Sequence, residues 1–143
     1  MLLPDVNVLV YAFRPEDPRH QQYRKWLDGL ANGPEAYAMS DLVLSGFVRV
    51  VTHPRVFRSP DRIGQALEFA EALRGQPHCV HVQPGERHWG IFEDLCRRAD
   101  VRGNLVADAY LAALAIESGC EWITTDRDYA RFPGLRWRHP LLE

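Results

Sequence analysis

The sequence predicts an α/β fold, with a mainly parallel sheet of four to five strands in a single three-layer domain over residues 1–143. Short apolar runs alternate with longer segments whose apolar residues recur at helical spacing, which is typical of parallel sheets. The length of 143 residues, with 46% hydrophobic and 25% charged residues, suits one globular domain. We find no internal repeat, low-complexity tract or linker that would divide the chain.

Capping residues and chain breaks set the predicted element boundaries. Asp5, Ser40 and Ser59 each precede a helical pattern and are good N-cap residues, and Gly75 and Gly119 end two of the helices. Helices are predicted over 6–13, 19–30, 42–51, 60–74, 85–98 and 104–118. Strands are predicted over 1–4, 36–39, 79–82, 122–125 and 135–138.

Net charge, cysteine spacing and the N-terminal segment favour an ordinary cytoplasmic protein over a secreted, membrane-bound or metal-thiolate one. The net charge of −2 gives no overall attraction to nucleic acid, so any such binding depends on local patches. Cys79, Cys96 and Cys120 show neither CxxC nor Cys/His metal spacing, which favours reduced thiols in a cytoplasmic protein. The N-terminus has no basic leader and carries Asp5, so we expect neither a signal peptide nor a membrane span.

Aspartates follow two of the predicted strands. Asp5 ends the first strand and Asp126 ends the run at 122–125, while Asp108 lies near the start of the helix between them. Because the carboxyl ends of parallel strands meet at one edge, we expect these acids to converge there. Carboxylates gathered in a cleft repel one another, and a divalent ion such as Mg²⁺ or Mn²⁺ relieves that repulsion. Such a site suits phosphoryl chemistry by metal-activated water.

Each acid also has a purely structural interpretation. For Asp5 this is a role as a helix cap and nothing more. Asp126 and Asp128 can be turn residues, with Asp126 capping a short helix over 127–132. Asp108 is harder to explain in this way, because its helix is otherwise apolar and carboxylates are seldom buried without a partner. For Asp108 the functional interpretation is favoured.

Other motifs are weaker. Arg49, Arg55, Arg58 and Arg62 surround Phe57 in a basic stretch that is either a solvated face or a surface for RNA phosphates. The six histidines show no HExxH spacing, and the chain has neither a Gly-rich phosphate loop nor a GxSxG nucleophile elbow.

Four segments together resemble a known family. They are Asp5-Val6-Asn7 after the first strand, FVRVVTHPRVF with Arg49, NLVADAYLAALAIESG with Asp108, and ITTDRDYARFPGLRW. The chain resembles PIN-domain ribonucleases from Asp5 to Trp137, most closely the VapC toxins of bacterial toxin–antitoxin pairs, particularly the mycobacterial set. The last segment is the most specific of the four.

The resemblance implies a Rossmann-like sheet with strand order 3-2-1-4-5. It implies a Mg²⁺- or Mn²⁺-dependent endoribonuclease toxin that cleaves structured RNA such as tRNA or rRNA, forms a homodimer and is neutralised by a VapB-type antitoxin whose C-terminal segment occupies the active-site groove. Residue by residue, it assigns the metal ligands to Asp5, Asp108 and Asp126, with Asp128 as an accessory catalytic acid. Asn7 and Thr125 match small polar residues that orient the first and last of these acids.

One position departs from the family pattern. The family's second acid is commonly a glutamate three residues before the helix arginine, Arg49, and that position is Gly46 here. Asp41 lies five residues earlier, roughly 140° around the helix from Gly46, although it could reach the cleft from the helix N-terminus. The leading hypothesis is a metal-dependent endoribonuclease. The alternatives are a catalytically weak or inactive PIN-fold binding module, and a metal-dependent DNA nuclease or phosphatase.

Overall fold

A computed structural model describes residues 1–142 and shows alternating strands and helices. In chain order the strands are β1 (Leu2–Pro4), β2 (Tyr37–Met39), β3 (Cys79–His81), β4 (Glu121–Ile123) and β5 (Trp137–Arg138). The α-helices are α1 (Val6–Phe13), α2 (His20–Asn32), α3 (Asp41–Val51), α4 (Ile63–Arg74), α5 (His88–Arg98) and α6 (Asn104–Ser118). A short 3₁₀ helix (Arg127–Arg131) separates β4 from β5.

The strand ladders are parallel, which confirms the predicted sheet. β4 pairs with β1 on one side and β5 on the other, while β2 pairs with β3 and lies next to β1. The strands therefore follow the order 3-2-1-4-5 that the resemblance implied. In the β1–β4 register Pro4 lies opposite Ile123, so Asp5 and Thr124 are the next residues at the carboxyl edge.

The core lies between the strands and the helices packed around them. Leu3, Ala38 and Trp122 of three different strands are fully buried, as the near-continuous apolar strands of parallel sheets require. The buried side of α6 consists mainly of small residues, namely Ala109, Ala112, Ala113 and Ala115. Small side chains let α6 lie close to β4 and α5, which brings its N-terminal turn to the sheet edge. Within residues 1–142 we find no helix long and apolar enough to cross a membrane.

Three of the predicted helix boundaries are stabilised as expected. The Asp5 carboxylate accepts the Val6 backbone N–H at 2.6 Å and caps α1. The Ser40 hydroxyl accepts the Leu42 N–H at 3.1 Å and caps α3. Gly119 ends α6 in the left-handed region with φ of 70°, a conformation that glycine adopts without steric cost.

The prediction that a helix begins at Pro60 after a Ser59 cap is wrong. Helix α4 begins at Ile63, and the preceding segment is instead held by Arg14. The Arg14 guanidinium donates to the Ser59 carbonyl at 2.9 Å and to the Asp61 carboxylate at 2.8 Å. These contacts come from a residue remote in the sequence, and they compete with the local capping signal.

The predicted start of the fifth helix at residue 85 is also wrong. Helix α5 begins at His88, because Glu117 near the end of α6 holds the preceding backbone. Its carboxylate accepts the backbone N–H groups of Gly85 at 2.7 Å and Arg87 at 2.9 Å. The end of α6 therefore holds the backbone that leads into α5.

Candidate active site

The three candidate acids lie in one groove at the carboxyl edge of β1 and β4. This groove, which we call the acid groove, has a volume of about 580 Å³ and contains Asp5, Asp108 and Asp126. Its remaining walls come from α1, α3, α6 and the loop after α3. The lining residues besides the acids are Val6, Asn7, Val10, Tyr11, Gly46, Arg49, Val50, Val56, Phe57, Ala107, Leu111 and Tyr129.

Asp5 is the most buried of the three acids. Only 5% of the residue is exposed, and its carboxylate accepts hydrogen bonds from the Val6 backbone, the Asn7 amide and the Thr124 hydroxyl. Burial raises the pKa of Asp5 from 3.8 to about 6, even though the bonds from Thr124 and Val6 oppose the rise. The negative charges of Asp108 and Asp126 raise it further. Within residues 1–142, Asp5 is therefore stabilised by hydrogen bonds and forms no ion pair.

Thr124 is a functional residue that sequence reasoning missed. Its side chain is fully buried, and its hydroxyl donates to Asp5 Oδ2 at 2.7 Å while accepting the Asp126 backbone N–H at 3.1 Å. One hydroxyl thus ties the carboxylate of Asp5 to the backbone that carries Asp126. The signal was the pair Thr124-Thr125, but only the register of β4 against β1 shows which of the two faces Asp5.

Asn7 joins the first turn of α1 to the end of β4. Its amide nitrogen lies 3.1 Å from Asp5 Oδ2 and 3.2 Å from the Thr124 hydroxyl oxygen. Its amide oxygen accepts the backbone N–H of Thr125 at 3.2 Å. Asn7 is therefore placed to orient Asp5, as the resemblance implied, whereas Thr125 joins this network through its backbone.

Asp108 meets the hydroxyl of Tyr129, a second residue that sequence reasoning missed. The Tyr129 hydroxyl donates to Asp108 Oδ1 at 3.3 Å, and the Tyr129 ring packs between Trp122 and Phe132. Burial raises the pKa of Asp108, and the charge of Asp126 adds to the rise. Burial also raises the pKa of Tyr129, so the phenol remains a hydrogen-bond donor near neutral pH.

Asp126 and Asp128 differ in position. Asp126 lines the acid groove, and its Oδ1 accepts the Asp128 backbone N–H at 2.8 Å, which caps the 3₁₀ helix as predicted. Asp128 itself is exposed, and its side chain pairs with Arg131 at 3.5 Å. The structure thus brings Asp126 to the other acids and places Asp128 outside the groove lining.

Gly46 does line the acid groove, on the face of α3 that carries Arg49 one turn later. A Cβ atom at Gly46 would lie 3.0 Å from the Cγ2 atom of Val6, a tight contact. The absence of a side chain at Gly46 leaves the α3 wall without an acid next to Asp5. Arg49 is the charged group that α3 contributes to the groove.

The structure does not bring Asp41 to the acid groove. Its carboxylate accepts a hydrogen bond from Arg74 at 2.9 Å, and it lines cavities between α3, α4 and β3. The hydrogen bond from Arg74 lowers the pKa of Asp41, the opposite of what happens to Asp5. Asp41 therefore does not substitute for the acid absent at Gly46.

The acid groove offers oxygen ligands only, which suits a hard divalent cation. Within residues 1–142, no three Asp, Glu, His or Cys side chains are arranged as a complete metal cluster. Ions of this kind often take one or two carboxylates and complete their coordination with water and substrate phosphate. Burial first, and then the charges of Asp108 and Asp126, raise the pKa of Asp5, and a dication in the groove would favour its charged form. The donor set therefore fits an open divalent site.

The chain is similar to known proteins in sequence and in fold. A model of the PIN domain matches residues 2–135. Ribonuclease VapC43 of Mycobacterium tuberculosis is 48% identical over 141 residues, covering 99% of this chain and 96% of that protein. Ribonuclease VapC25 of the same species is 39% identical over 140 residues, covering 98% of this chain and 99% of that protein.

The fold is similar to that of solved toxin–antitoxin proteins. The structure of VapBC2 from Rickettsia felis, bound to a DNA fragment from its promoter, contains a chain that superimposes with a TM-score of 0.71. The match covers 96% of this chain and 97% of that one at 18% sequence identity. At this identity the likeness concerns the fold, and it supports the α/β topology described above.

Proposed function

The chain belongs to the PIN-domain family and, within it, to the VapC ribonucleases, and on that premise we propose that it is a metal-dependent endoribonuclease. The observation that carries the proposal is the convergence of Asp5, Asp108 and Asp126 in one groove. Asp5 directly follows β1, Asp108 lies in the second turn of α6 and Asp126 follows β4 by three residues, so the convergence is a property of the fold. A purely structural role for all three does not explain why Asp5 is buried with no cationic partner among residues 1–142.

PIN-domain ribonucleases generally need a divalent metal ion, and we infer Mg²⁺ here, with Mn²⁺ as a substitute. When bound, the ion supplies an activated water and neutralises charge that develops on the phosphate. Asp5, Asp108 and Asp126 would hold it. Asp128, exposed beside the groove, orients water or ligands from outside this set.

The remaining polar residues position the acids. Thr124 and Asn7 fix the rotamer of Asp5, and Tyr129 holds Asp108. Arg49 lines the same groove from α3, where its guanidinium can bind a phosphate oxygen and place the phosphodiester beside the acids. Geometric fixation of this kind lowers the entropy cost of reaching the reactive arrangement.

In the cell we propose that the protein is the toxin component of a type II toxin–antitoxin system, acting in the cytoplasm on a structured RNA such as tRNA or rRNA. Its relatives VapC43 and VapC25 carry the name of such toxins. The partners would be a second copy of the chain, in a homodimer, and a VapB-type antitoxin. The apolar walls of the acid groove, including Val10 and Leu111, suit the C-terminal segment of such an antitoxin.

The test is cleavage of purified tRNA by the wild-type protein in Mg²⁺, in parallel with Asp5→Ala and Asp41→Ala. We expect discrete products from the wild type and from Asp41→Ala, whose carboxylate lies outside the groove, and none from Asp5→Ala or in EDTA. Single-stranded DNA and a small phosphoester serve as competing substrates. Identical products from wild type and Asp5→Ala, or faster turnover of DNA or the phosphoester, would contradict the assignment.

A second candidate function is an inactive binding module with the same fold. It is favoured by Gly46, which leaves one wall without an acid, and by the lack of a complete metal cluster within residues 1–142. This candidate requires RNA or partner binding that persists in EDTA and survives Asp108→Ala, without any cleavage product in Mg²⁺.

A further inference from the structure

We propose that residues 52–62, which we call the docking loop, form an RNA-docking element fastened beside the acid groove by Arg14. In this element Phe57 provides a face on which an RNA base stacks. Arg55 and Arg58 contact phosphates on either side of that base. The proposal rests on the proposed function, since it names the element that brings the RNA strand to the acids.

The fastening is a buried guanidinium. Arg14, at the C-terminal end of α1, is only 9% exposed. It pairs with Glu16 and with Asp61, and it donates to the Ser59 carbonyl. Its guanidinium carbon lies 3.8 Å from the centroid of the Phe57 ring. One cation therefore fixes the docking loop at its carboxylate, its backbone and its aromatic ring.

The fastened loop forms part of the acid groove. Val56 and Phe57 line the same cavity as Asp5, Asp108 and Asp126. The guanidinium of Arg14 lies over one face of the Phe57 ring, so a base would stack on the opposite face of this half-buried ring, which borders the cavity. A stacked base at Phe57 would thus place a neighbouring phosphodiester toward the acids.

The charges of the docking loop are free. Arg55 and Arg58 are exposed and, within residues 1–142, have neither an ion pair nor a side-chain hydrogen bond. Arg49, which precedes the loop on α3, and Arg62, its last residue, are in the same state, and among the other arginines within residues 1–142 only Arg102 and Arg127 share it. Arginines on α2 and α5, such as Arg24, Arg97 and Arg98, are instead paired with acids one turn away. Within residues 1–142, four of the six arginines in this state therefore lie in or next to the docking loop, while Lys25 on α2 is also unpaired and the net charge of the chain is −2.

An RNA strand fits these features better than an acidic peptide. Single-stranded nucleic acid is bound by cations along the backbone combined with an aromatic side chain that stacks on a base. An acidic peptide would use the arginines but gain nothing specific from the Phe57 ring. Loss of the aromatic ring of Phe57 should therefore weaken binding of RNA but not of an acidic peptide.

The first experiment measures binding of fluorescein-labelled oligouridylate by anisotropy in EDTA, over a series of KCl concentrations. Arg55→Gln/Arg58→Gln is compared with Arg97→Gln/Arg98→Gln, which removes the same charge from α5. We expect the loop variant to bind more weakly and to lower the salt slope by roughly 1.4, since single strands give about 0.7 per phosphate contact. The α5 variant is expected to retain the wild-type slope, and equal slopes for both double variants overturn the proposal.

The second experiment separates stacking from charge. Phe57→Leu retains apolar volume but removes the aromatic face, so we expect about tenfold weaker binding of oligouridylate at an unchanged salt slope. Arg14→Lys retains the charge but loses the fork and the stacked contact. We expect it to raise KM for tRNA cleavage more than it lowers kcat, with a wild-type circular dichroism spectrum. If Phe57→Leu binds oligouridylate with the affinity of the wild type, the loop binds RNA through charge alone and the proposal is overturned.

Binding in EDTA and cleavage in Mg²⁺ can fail separately. If oligouridylate binds through the loop but tRNA is not cleaved, the docking proposal stands and the endoribonuclease proposal fails. If tRNA is cleaved and the loop variants bind as the wild type does, the endoribonuclease proposal stands and the docking proposal is overturned.

Discussion

The hydroxyl of Thr124 donates to the carboxylate of Asp5 at 2.7 Å, across the join between β4 and β1. The same oxygen accepts the backbone N–H of Asp126 at 3.1 Å. The buried side chain of Thr124 therefore links Asp5, which follows β1, to the backbone of Asp126, which follows β4.

Thr124→Val should impair both stability and activity. The change leaves Asp5 without its shortest side-chain donor and the Asp126 N–H without its acceptor, which costs about 1–3 kcal/mol of unfolding free energy. Urea unfolding and tRNA cleavage measure the two effects. The control is Thr125→Val, since Thr125 contributes its backbone N–H to Asn7 and keeps it in the variant. Equal losses in the two variants would contradict the assigned role of Thr124.

The stability of the metal-free protein should depend on the protonation of Asp5. Its pKa is raised from 3.8 to about 6, so the folded state binds this proton more tightly than the unfolded state. The stabilisation by the protonated form is complete below about pH 4 and is lost as the pH rises to about 6. The shift corresponds to at most roughly 3 kcal/mol.

The measurement is urea unfolding in EDTA between pH 4 and pH 7 for wild type and Asp5→Asn. Relative to the variant, the wild type should lose stability as the pH rises through this window. Asp41→Asn is the control of opposite sign, because Arg74 lowers the pKa of Asp41. A difference between wild type and Asp5→Asn that does not change with pH would refute the assigned environment of Asp5.

Tyr129→Phe should weaken divalent ion binding while leaving the fold nearly intact. The variant loses the bond to Asp108 Oδ1 but keeps the ring that packs against Trp122 and Phe132. We expect a several-fold rise in the Kd for Mn²⁺, measured by calorimetry, as when other groups that orient metal ligands are removed. Tyr37→Phe is the matched control, because its hydroxyl donates to the Leu73 carbonyl away from the groove. Mn²⁺ affinity should not change in that control, and an equal loss in both variants would contradict the role of Tyr129.

Gly46→Glu should strengthen ion binding by placing an acid on the α3 wall. The new Cβ would lie 3.0 Å from Val6 Cγ2, so the gain should be larger when Val6 is also changed to Ala. Calorimetry with Mn²⁺ compares both variants with wild type and with Gly46→Gln, which has nearly the same shape without the charge. If the Glu and Gln variants bind Mn²⁺ equally, the wall at Gly46 does not face the ion.

Much of the fold follows from local patterns in the sequence. Alternating apolar runs and helical stripes predicted the parallel sheet, and the caps at Asp5 and Ser40 lie where the sequence placed them. Local patterns did not predict the starts of α4 and α5, because Arg14 and Glu117 bind the preceding segments from elsewhere in the chain. Contacts between remote residues override local capping preferences, and a single sequence does not reveal them.

In the candidate site, too, some features follow from local sequence and others depend on contacts between remote residues. That Asp5 and Asp126 lie at one edge follows from their positions after parallel strands, and the structure places them together. The distinction between Thr124 and Thr125 depends on the strand register, in which a shift of one residue exchanges the two faces. The position of Asp41 depends on its pairing with Arg74, 33 residues away, which no local pattern encodes.

The most direct test of the central claim compares tRNA cleavage by wild type, Asp108→Asn and Asp41→Asn in Mg²⁺, with folding checked by circular dichroism. Both substitutions remove one carboxylate from a helix, but only Asp108 lies in the acid groove. We predict that Asp41→Asn cleaves at the wild-type rate and that Asp108→Asn loses activity by at least about a hundredfold, as expected for loss of a group that stabilises the transition state. Wild-type activity in Asp108→Asn, or equal losses in both variants, would contradict the claim that the acid groove is the nuclease site.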